Sequence, residues 1–468
     1  MRLVSYLVLA TSLLTLPLRA TVRWVAPAGS PNNDGTFARP WDLQTGLADA
    51  DAGDTVWLRG GTYHGSFTCW ANGRPGAPIT YRQYPGEIAR IDMGSSRNPG
   101  ITMQCHDVWL WGFEIFSSNP NRISVNAGSF PEDIERGQGI VTAQVAGIPA
   151  NLRFINLVIH DTWGAFGIWK EAANAEIYGN IIFYDGWDGP DRGHGHGIYS
   201  QNDGATPHYI EDNIIFSEFS HGVHVFSSDD LLQNFWVQGN IAFDNGAPSK
   251  TTSYATNYRI GAGQSIPKKV TFAENIGYFS PRLAGGDSQL GSPTGCRQLT
   301  VLKNLLIATN GISLIKPPAC TDLTFDNNTL IGAVQGFEQN SYSFQNSLGG
   351  ETQVFIRPNR YEAGRAHIVV INPKGSDIVE LDLSSVLRPG STFEIRDVQD
   401  LFGATVAGGQ YSGQRVPVPM NRTGVTPLVG NAPVPRVHTD RMFGVFLLTS
   451  TGPPVVRSPG KNSRGNGR

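Results

Sequence analysis

IYGNIIF, residues 177–183, decides the reading of this chain because it keeps coming back. FINLVI (154–159), IEDNIIF (210–216), VQGNIAF (237–243), FAENIGY (272–278), VLKNLLI (301–307) and FDNNTLI (325–331) share its frame. Each places an asparagine before a short apolar run: Asn156, Asn180, Asn213, Asn240, Asn275, Asn304 and Asn328. Successive asparagines lie 24, 33, 27, 35, 29 and 24 residues apart, and VWLWGFEI (108–115) fits with Gly112 in the asparagine column.

A variable period with a constant minimum describes a solenoid whose coils carry insertions. The runs are short, β-branched and alternating, with no helical period, which predicts a parallel β-helix with coils about 4.8 Å apart. At a sharp turn an asparagine amide can donate to and accept from neighbouring coils, so a column of them satisfies polar groups rung after rung. Cys296 and Cys320 are 24 residues apart, one minimal coil, and Cys69 and Cys105 are 36 apart, one coil plus a loop. Stacked coils bring such pairs within disulfide range, so Cys69–Cys105 and Cys296–Cys320 are the expected bridges.

The rest of the chain agrees with an exported β protein. Of 468 residues, 55 are glycine and 30 proline, only 16% are charged and the net charge is −3. That composition suits turn-rich β structure, and the absence of a basic excess sets nucleic acid aside as a partner. Residues 1–20, MRLVSYLVLATSLLTLPLRA, read as a signal peptide with Leu18-Arg19-Ala20 at the cleavage site. The expectation is a secreted or periplasmic monomer, with no membrane attachment after signal removal.

WVAPAGSPNNDGTFARPWDLQTGLADADAGDTVWLRGGTY (24–63) resembles the opening of bacterial right-handed parallel β-helix proteins of the pectate-lyase-like superfamily. The resemblance runs through the asparagine repeats and implies a solenoid over 21–332. Its first coil would be capped by a helix starting at Pro40-Trp41-Asp42 and ending at Gly53-Asp54. The superfamily hosts lyases, hydrolases, epimerases and binding proteins, so the chemistry rests on the site residues. Residues 333–350 read as a linker. Segment 351–450 alternates like an antiparallel β-sandwich and resembles the accessory sandwich of many carbohydrate-active enzymes. The tail, 451–468, reads as disordered.

Three coils align beyond their asparagines: FGIWKE (166–171), HGIYSQ (196–201) and HGVHVF (221–226). With Ile168, Ile198 and Val223 inward, alternation sends Trp169, Tyr199 and His224 outward in one column, and Glu171, Gln201 and Phe226 in another. The middle coil carries an insertion, GWDGPDRGHGHGIYSQN (186–202), with Asp188, Asp191, Arg192, His194 and His196. Insertions on one solenoid face often line a groove. Trp169, Trp187 and Tyr199 would offer flat faces to sugar rings, and Glu171, Arg192, Gln201 and Asn202 polar contacts.

A groove on an exported β-helix suits a polysaccharide, and β-elimination on a uronate polymer leads among the reactions. The base would come from His196, His224 or Lys170, with Lys170 requiring a bulge to face outward. Arg192, His194 or calcium would hold the carboxylate and Tyr199 would protonate the leaving oxygen. Asp161, Asp185 and Glu218, each five residues past its asparagine, would stack on successive rungs. Their repulsion calls for a shared proton, a cation such as Arg192 or Lys170, a calcium ion, or full solvation. The same three acids support glycoside hydrolysis as an alternative. A zinc site from His194, His196, His221 and His224, or a non-catalytic glycan-binding protein, complete the readings.

Overall fold

The structure is a computed structural model that describes residues 21–227, 232–250, 255–261, 266–283, 286–316, 320–336 and 344–451. The signal peptide (1–20) and all but the first residue of the tail lie outside the described residues.

The solenoid is a right-handed parallel β-helix. Its first face is an eleven-stranded parallel sheet, from Val22–Val25 through Glu176–Tyr178 to Cys320–Asp326. Eighteen further strands, parallel throughout, build the second and third faces. In each coil a first-face strand such as Glu176–Tyr178 ends at a left-handed residue, here Gly179, and the second face follows as Ile181–Phe183. Between them sits the asparagine. Asn180 Nδ2 donates to Asn213 Oδ1 at 2.8 Å, and the contact repeats from Asn213 to Asn240, Asn275, Asn304 and Asn328. Each amide also donates to a main-chain carbonyl, as Asn180 does to Phe154. These bonds neutralise main-chain groups that burial would otherwise leave unpaired.

Asn156 departs from the expected column. Ile155 pairs with Tyr178, so Leu157, not Asn156, lies over Asn180, and the Leu157 N–H donates to Asn180 Oδ1 at 2.8 Å. Asn156 instead occupies the left-handed turn position, φ 52°, which asparagine tolerates better than most residues. It faces outward and bonds Asn359 and Glu362 of the carboxyl-terminal unit.

The helix covers Leu43–Asp49, N-capped by Asp42, whose carboxylate accepts from Thr45 N–H at 2.8 Å. It stops short of Gly53-Asp54 because Ala50 is already extended and Asp54 accepts from the main chain of Thr21 and Asp51. Cys296 and Cys320 stack in register and are disulfide-bonded, with Cα atoms 4.3 Å apart. Cys69 and Cys105 are buried thiols whose Sγ atoms lie 2.9 Å apart.

The second face is apolar on both sides. Ile159, Ile182 and Ile215 fill the solenoid core, while Phe183, Phe216, Phe243 and Tyr278 point out and pack on Val369, Ile371, Phe443 and Val445. The last four belong to a five-stranded antiparallel sheet, Gln353–Pro358, Ala366–Ile371, Phe443–Ser450, Thr392–Asp397 and Ala407–Gln410, backed by the pair Ile378–Leu381 and Val416–Pro419. Arg360 adds ion pairs to Glu176 and Glu211. The expected linker is partly solenoid: the strand Thr329–Gln335 runs into it, and Gln345 bonds back to Asn328 and Leu330 as a final rung.

Candidate active site

The third face stays uncovered by the sandwich. Its strands Ile140–Thr142, Phe166–Ile168, His196–Ser200, His221–Val225 and Thr256–Ile260 pair in parallel. Ile168, Ile198 and Val223 point into the core as alternation requires. The outward column, however, runs Gly167, Tyr199, His224, Arg259. Phe166, not Ile168, lies beside Ile198, so the coil carrying Trp169 is shifted by two residues from the expected alignment. Trp169 still reaches Tyr199, ring centroids 5.5 Å apart, because it lies one step along the same wall. Gly167 leaves room for Gln138: a Cβ there would come within 2.9 Å of the Gln138 amide.

These residues enclose a cavity of about 400 Å³. Trp169, Tyr199 and Phe226 supply aromatic walls, His196, His221 and His224 the floor, and Arg192 and Arg259 the positive charge. Among the described lining residues none is acidic. His196 lies over His221 in register, and His224 Nδ1 is 3.4 Å from His196 Nε2. Two neutral imidazoles share one hydrogen across that contact. Whichever ring carries it, one outer nitrogen is then a lone pair and the other an N–H. Those outer atoms, His196 Nδ1 and His224 Nε2, are buried and have no hydrogen-bond partner. His221 Nε2 lies 3.1 Å from the Arg259 guanidinium, while Nδ1 accepts from the Thr256 N–H at 3.2 Å and lies 3.1 Å from the Thr256 hydroxyl. Burial, with Arg192 and Arg259 nearby, pushes His196 down to about 3. Burial and the neighbouring imidazoles push His224 well below the ordinary imidazole range. The pair is therefore neutral at physiological pH, and an incoming anion would make it more basic.

The inserted loop divides its residues between cleft and support. Trp187–Asp188 and Gly193–His194 form an antiparallel hairpin that folds inward. Trp187 is fully buried and stacks on His194 at 4.9 Å, and His194 Nε2 bonds Asp191 at 3.0 Å. Neither touches the cavity, which corrects the expected substrate contact of Trp187 and catalytic part of His194. It also separates His194 from the other three histidines, and no described group of three or more His, Cys, Asp or Glu is arranged to hold a metal. Arg192, at the hairpin tip, does reach the cleft and donates to Ser129 at 3.2 Å.

Lys170 and Glu171 lie in the turn after Ile168, outside the cavity lining. Gln201 donates to the Tyr199 hydroxyl at 3.2 Å. Asn202 is a buried turn residue whose amide bonds Thr206 and Asn234 carbonyls, so it is not a substrate contact.

The three acids are sealed at the turn between the second and third faces, with exposures of 1% for Asp161 and 0% for Asp185 and Glu218. Only Asp185 and Glu218 stack: His160 pairs with Phe183, so Thr162 lies over Asp185 and Asp161 takes the left-handed position before it, φ 58°. The compensating cation is neither Arg192 nor Lys170 but Arg122, fully buried and 2.6 Å from Asp161. Asp185 accepts from Thr162 N–H and hydroxyl at 2.7 Å. Burial pushes Asp185 up to about 7, and burial with the Asp185 charge raises Glu218 further, so the pair holds a proton. Asp185 Oδ2 and Glu218 Oε1 are buried without a hydrogen-bond partner, which suits the retained proton. Arg122 takes the cation's place beside Asp161, and the sealed carboxylates offer no exposed pair for hydrolysis.

Sequence reasoning missed Arg259, one coil beyond His224, and the wall formed by Ser129, Phe130, Gln138 and Trp163. Arg259 could have been found by extending the column; Ser129 and Phe130 come from segment 117–137, which repeats nothing.

Residues 23–255 match the family described as Pel9A-like, right handed beta helix region. A curated relative, the uncharacterized protein YwoF of Bacillus subtilis (strain 168), is 40% identical over 76 residues, 16% of this chain and 16% of that protein. Among solved structures, the crystal structure of pectate lyase Pel9A is 15% identical, with TM-score 0.48 over 70% of this chain and 82% of that one. A rhamnogalacturonan lyase is 16% identical, with TM-score 0.46 over 66% and 87%. The chain is a pectate-lyase-like right-handed parallel β-helix protein, with its Pel9A-like region at residues 23–255.

Proposed function

We propose that the protein is an exported polysaccharide lyase that cleaves a uronate-containing polymer by β-elimination in the third-face cleft. The observation that carries this reading is the His196–His224 pair, offering a lone pair and an N–H side by side, between two arginines and among described lining residues that include no acid. The pectate-lyase-like fold and the Cys296–Cys320 disulfide support a carbohydrate substrate and an oxidising compartment.

In the proposed reaction Arg192 and Arg259 hold the uronate carboxylate, lowering the cost of charge that builds there when the α-proton leaves. The imidazole with the free lone pair takes that proton. The C–H electrons pass through the enolate-like intermediate into a new carbon–carbon double bond, and the glycosidic C–O bond breaks. Tyr199, or the imidazole N–H, protonates the departing oxygen. The polymer is bound by a single copy of the chain.

The test is purified protein with polygalacturonate, alginate, a glycosaminoglycan and neutral xylan, with calcium or chelator. The expected result is an ultraviolet-absorbing unsaturated uronyl product from one acidic polymer, unaffected by chelation. New reducing ends without that absorbance would mean hydrolysis, and binding without cleavage a recognition module; either overturns the lyase reading. Lost activity in chelator would transfer charge stabilisation from the arginines to a metal.

A further inference from the structure

Beside the main cavity lies a smaller lobe of about 160 Å³ that shares Phe130, Gln138 and Trp163 with it. Arg97 lines the smaller lobe and not the main cavity. Phe130 is 85% exposed, an unusual place for a large aromatic with nothing to cover it. It is nevertheless held: its ring stacks on Trp163 with centroids 5.8 Å apart and planes 14° from parallel. Trp163 rests on buried Trp187 at 5.2 Å, which rests in turn on His194. The inward half of the histidine hairpin thus props the platform that separates the two lobes.

The wall carrying Phe130 is tied down as well. Asp133 accepts from the Ser124 hydroxyl at 2.7 Å and the Val125 N–H at 2.8 Å, and Asn119 donates to the Glu135 carbonyl at 2.7 Å. Beneath it Arg136 donates to the Asp161 and Asn119 carbonyls, so its charge is fixed. Arg97 donates to the Glu132 carbonyl, which sets its guanidinium at the lobe. A rigid exposed aromatic between two cation-bearing hollows fits a chain of linked sugar rings with acidic groups on more than one of them.

We propose that this lobe is a second sugar subsite, in which Phe130 and Trp163 stack one ring of the polymer and Arg97 pairs with its carboxylate. This deepens the lyase reading by naming the substrate as a run of at least two neighbouring uronates. The test is equilibrium binding of monomers and dimers of galacturonate, of alginate uronates and of neutral xylose, to the wild type, Phe130→Ala and Arg97→Ala. The wild type should bind one acidic dimer about tenfold more tightly than its monomer, an aromatic-plus-ion-pair contribution of ordinary size. Both variants should lose that advantage, Arg97→Ala with monomer binding unchanged because Arg97 lines only the smaller lobe, and the xylose series should show none of it. No length advantage in any acidic series, or an advantage that survives both substitutions, overturns the subsite. A length advantage in a protein that eliminates nothing would keep the subsite and remove the lyase reading.

Discussion

On the second face the outward positions run Phe183, Phe216, Phe243, Tyr278; on the third they run Gly167, Tyr199, His224, Arg259. The backbone is the same parallel ladder in both. On the second face the rings stack, Phe216 on Phe243 at 4.8 Å and within 2° of parallel, and the sandwich sheet closes over them. On the third face glycine, tyrosine, histidine and arginine leave a hollow, with a tied loop at its edge among the described residues. A solenoid repeats its core automatically, so the residues that face outward decide whether a side becomes an interface or a site.

The largest effect should come from the histidines. His196→Ala and His224→Ala should each lower kcat/KM for elimination by about a hundredfold to ten-thousandfold, with little change in thermal unfolding. Because a base must be unprotonated and His196 sits near 3, kcat/KM should hold as pH falls through about 6.5 and decline only toward about 3. An acidic limb near the ordinary histidine value would contradict the burial of the pair.

Next comes stability. Phe216→Ala should cost about 3–5 kcal/mol, whereas Tyr199→Ala should cost less than about 1 kcal/mol because its ring borders a cavity. Denaturant unfolding of the two variants checks this, and equal losses would erase the contrast between the faces.

Smaller still is the effect of Arg192→Met, which should raise KM for an acidic polymer about tenfold by removing one charge-assisted contact. Steady-state kinetics at matched ionic strength measure it, and an unchanged KM would place the carboxylate elsewhere.

The smallest effect concerns the turn between the two faces. Asp185 titrates near 7 when folded, above its ordinary 3.8, so the folded protein keeps a proton that the unfolded chain has released. The resulting stability is complete below about 4 and is lost as pH rises through about 7. Asp185→Asn should therefore shrink the fall in stability between about pH 5 and about pH 8 by on the order of 1 kcal/mol. An unaltered slope in urea unfolding would mean that Asp185 does not carry the proton.

The fold was legible because its signal repeats. Six ladder asparagines share one chemical task, and runs such as IIF at 181–183, apolar at consecutive positions, already mark a strand buried on both sides. The ladder's first member misled by a single residue, since an asparagine also suits the left-handed turn just before the rung. The site was half legible. Tyr199 and His224 follow from alternation, and His196 and Arg192 from their places in the inserted loop. Trp187 and His194 did not, because a short hairpin folds its own residues inward by contacts that no coil period encodes. The acids were legible in part: a shared proton and an arginine were among the expected compensations, but the arginine is Arg122, from a distant insertion, rather than Arg192.

The most direct measurement is a crystal structure of the His196→Ala protein with an acidic hexasaccharide from the polymer it cleaves. The account predicts a uronate carboxylate between Arg192 and Arg259, its α-carbon over the His196–His224 pair, and the next ring against Phe130. Sugar density on the sandwich, or on the first face, with the third-face hollow holding only solvent, would contradict it.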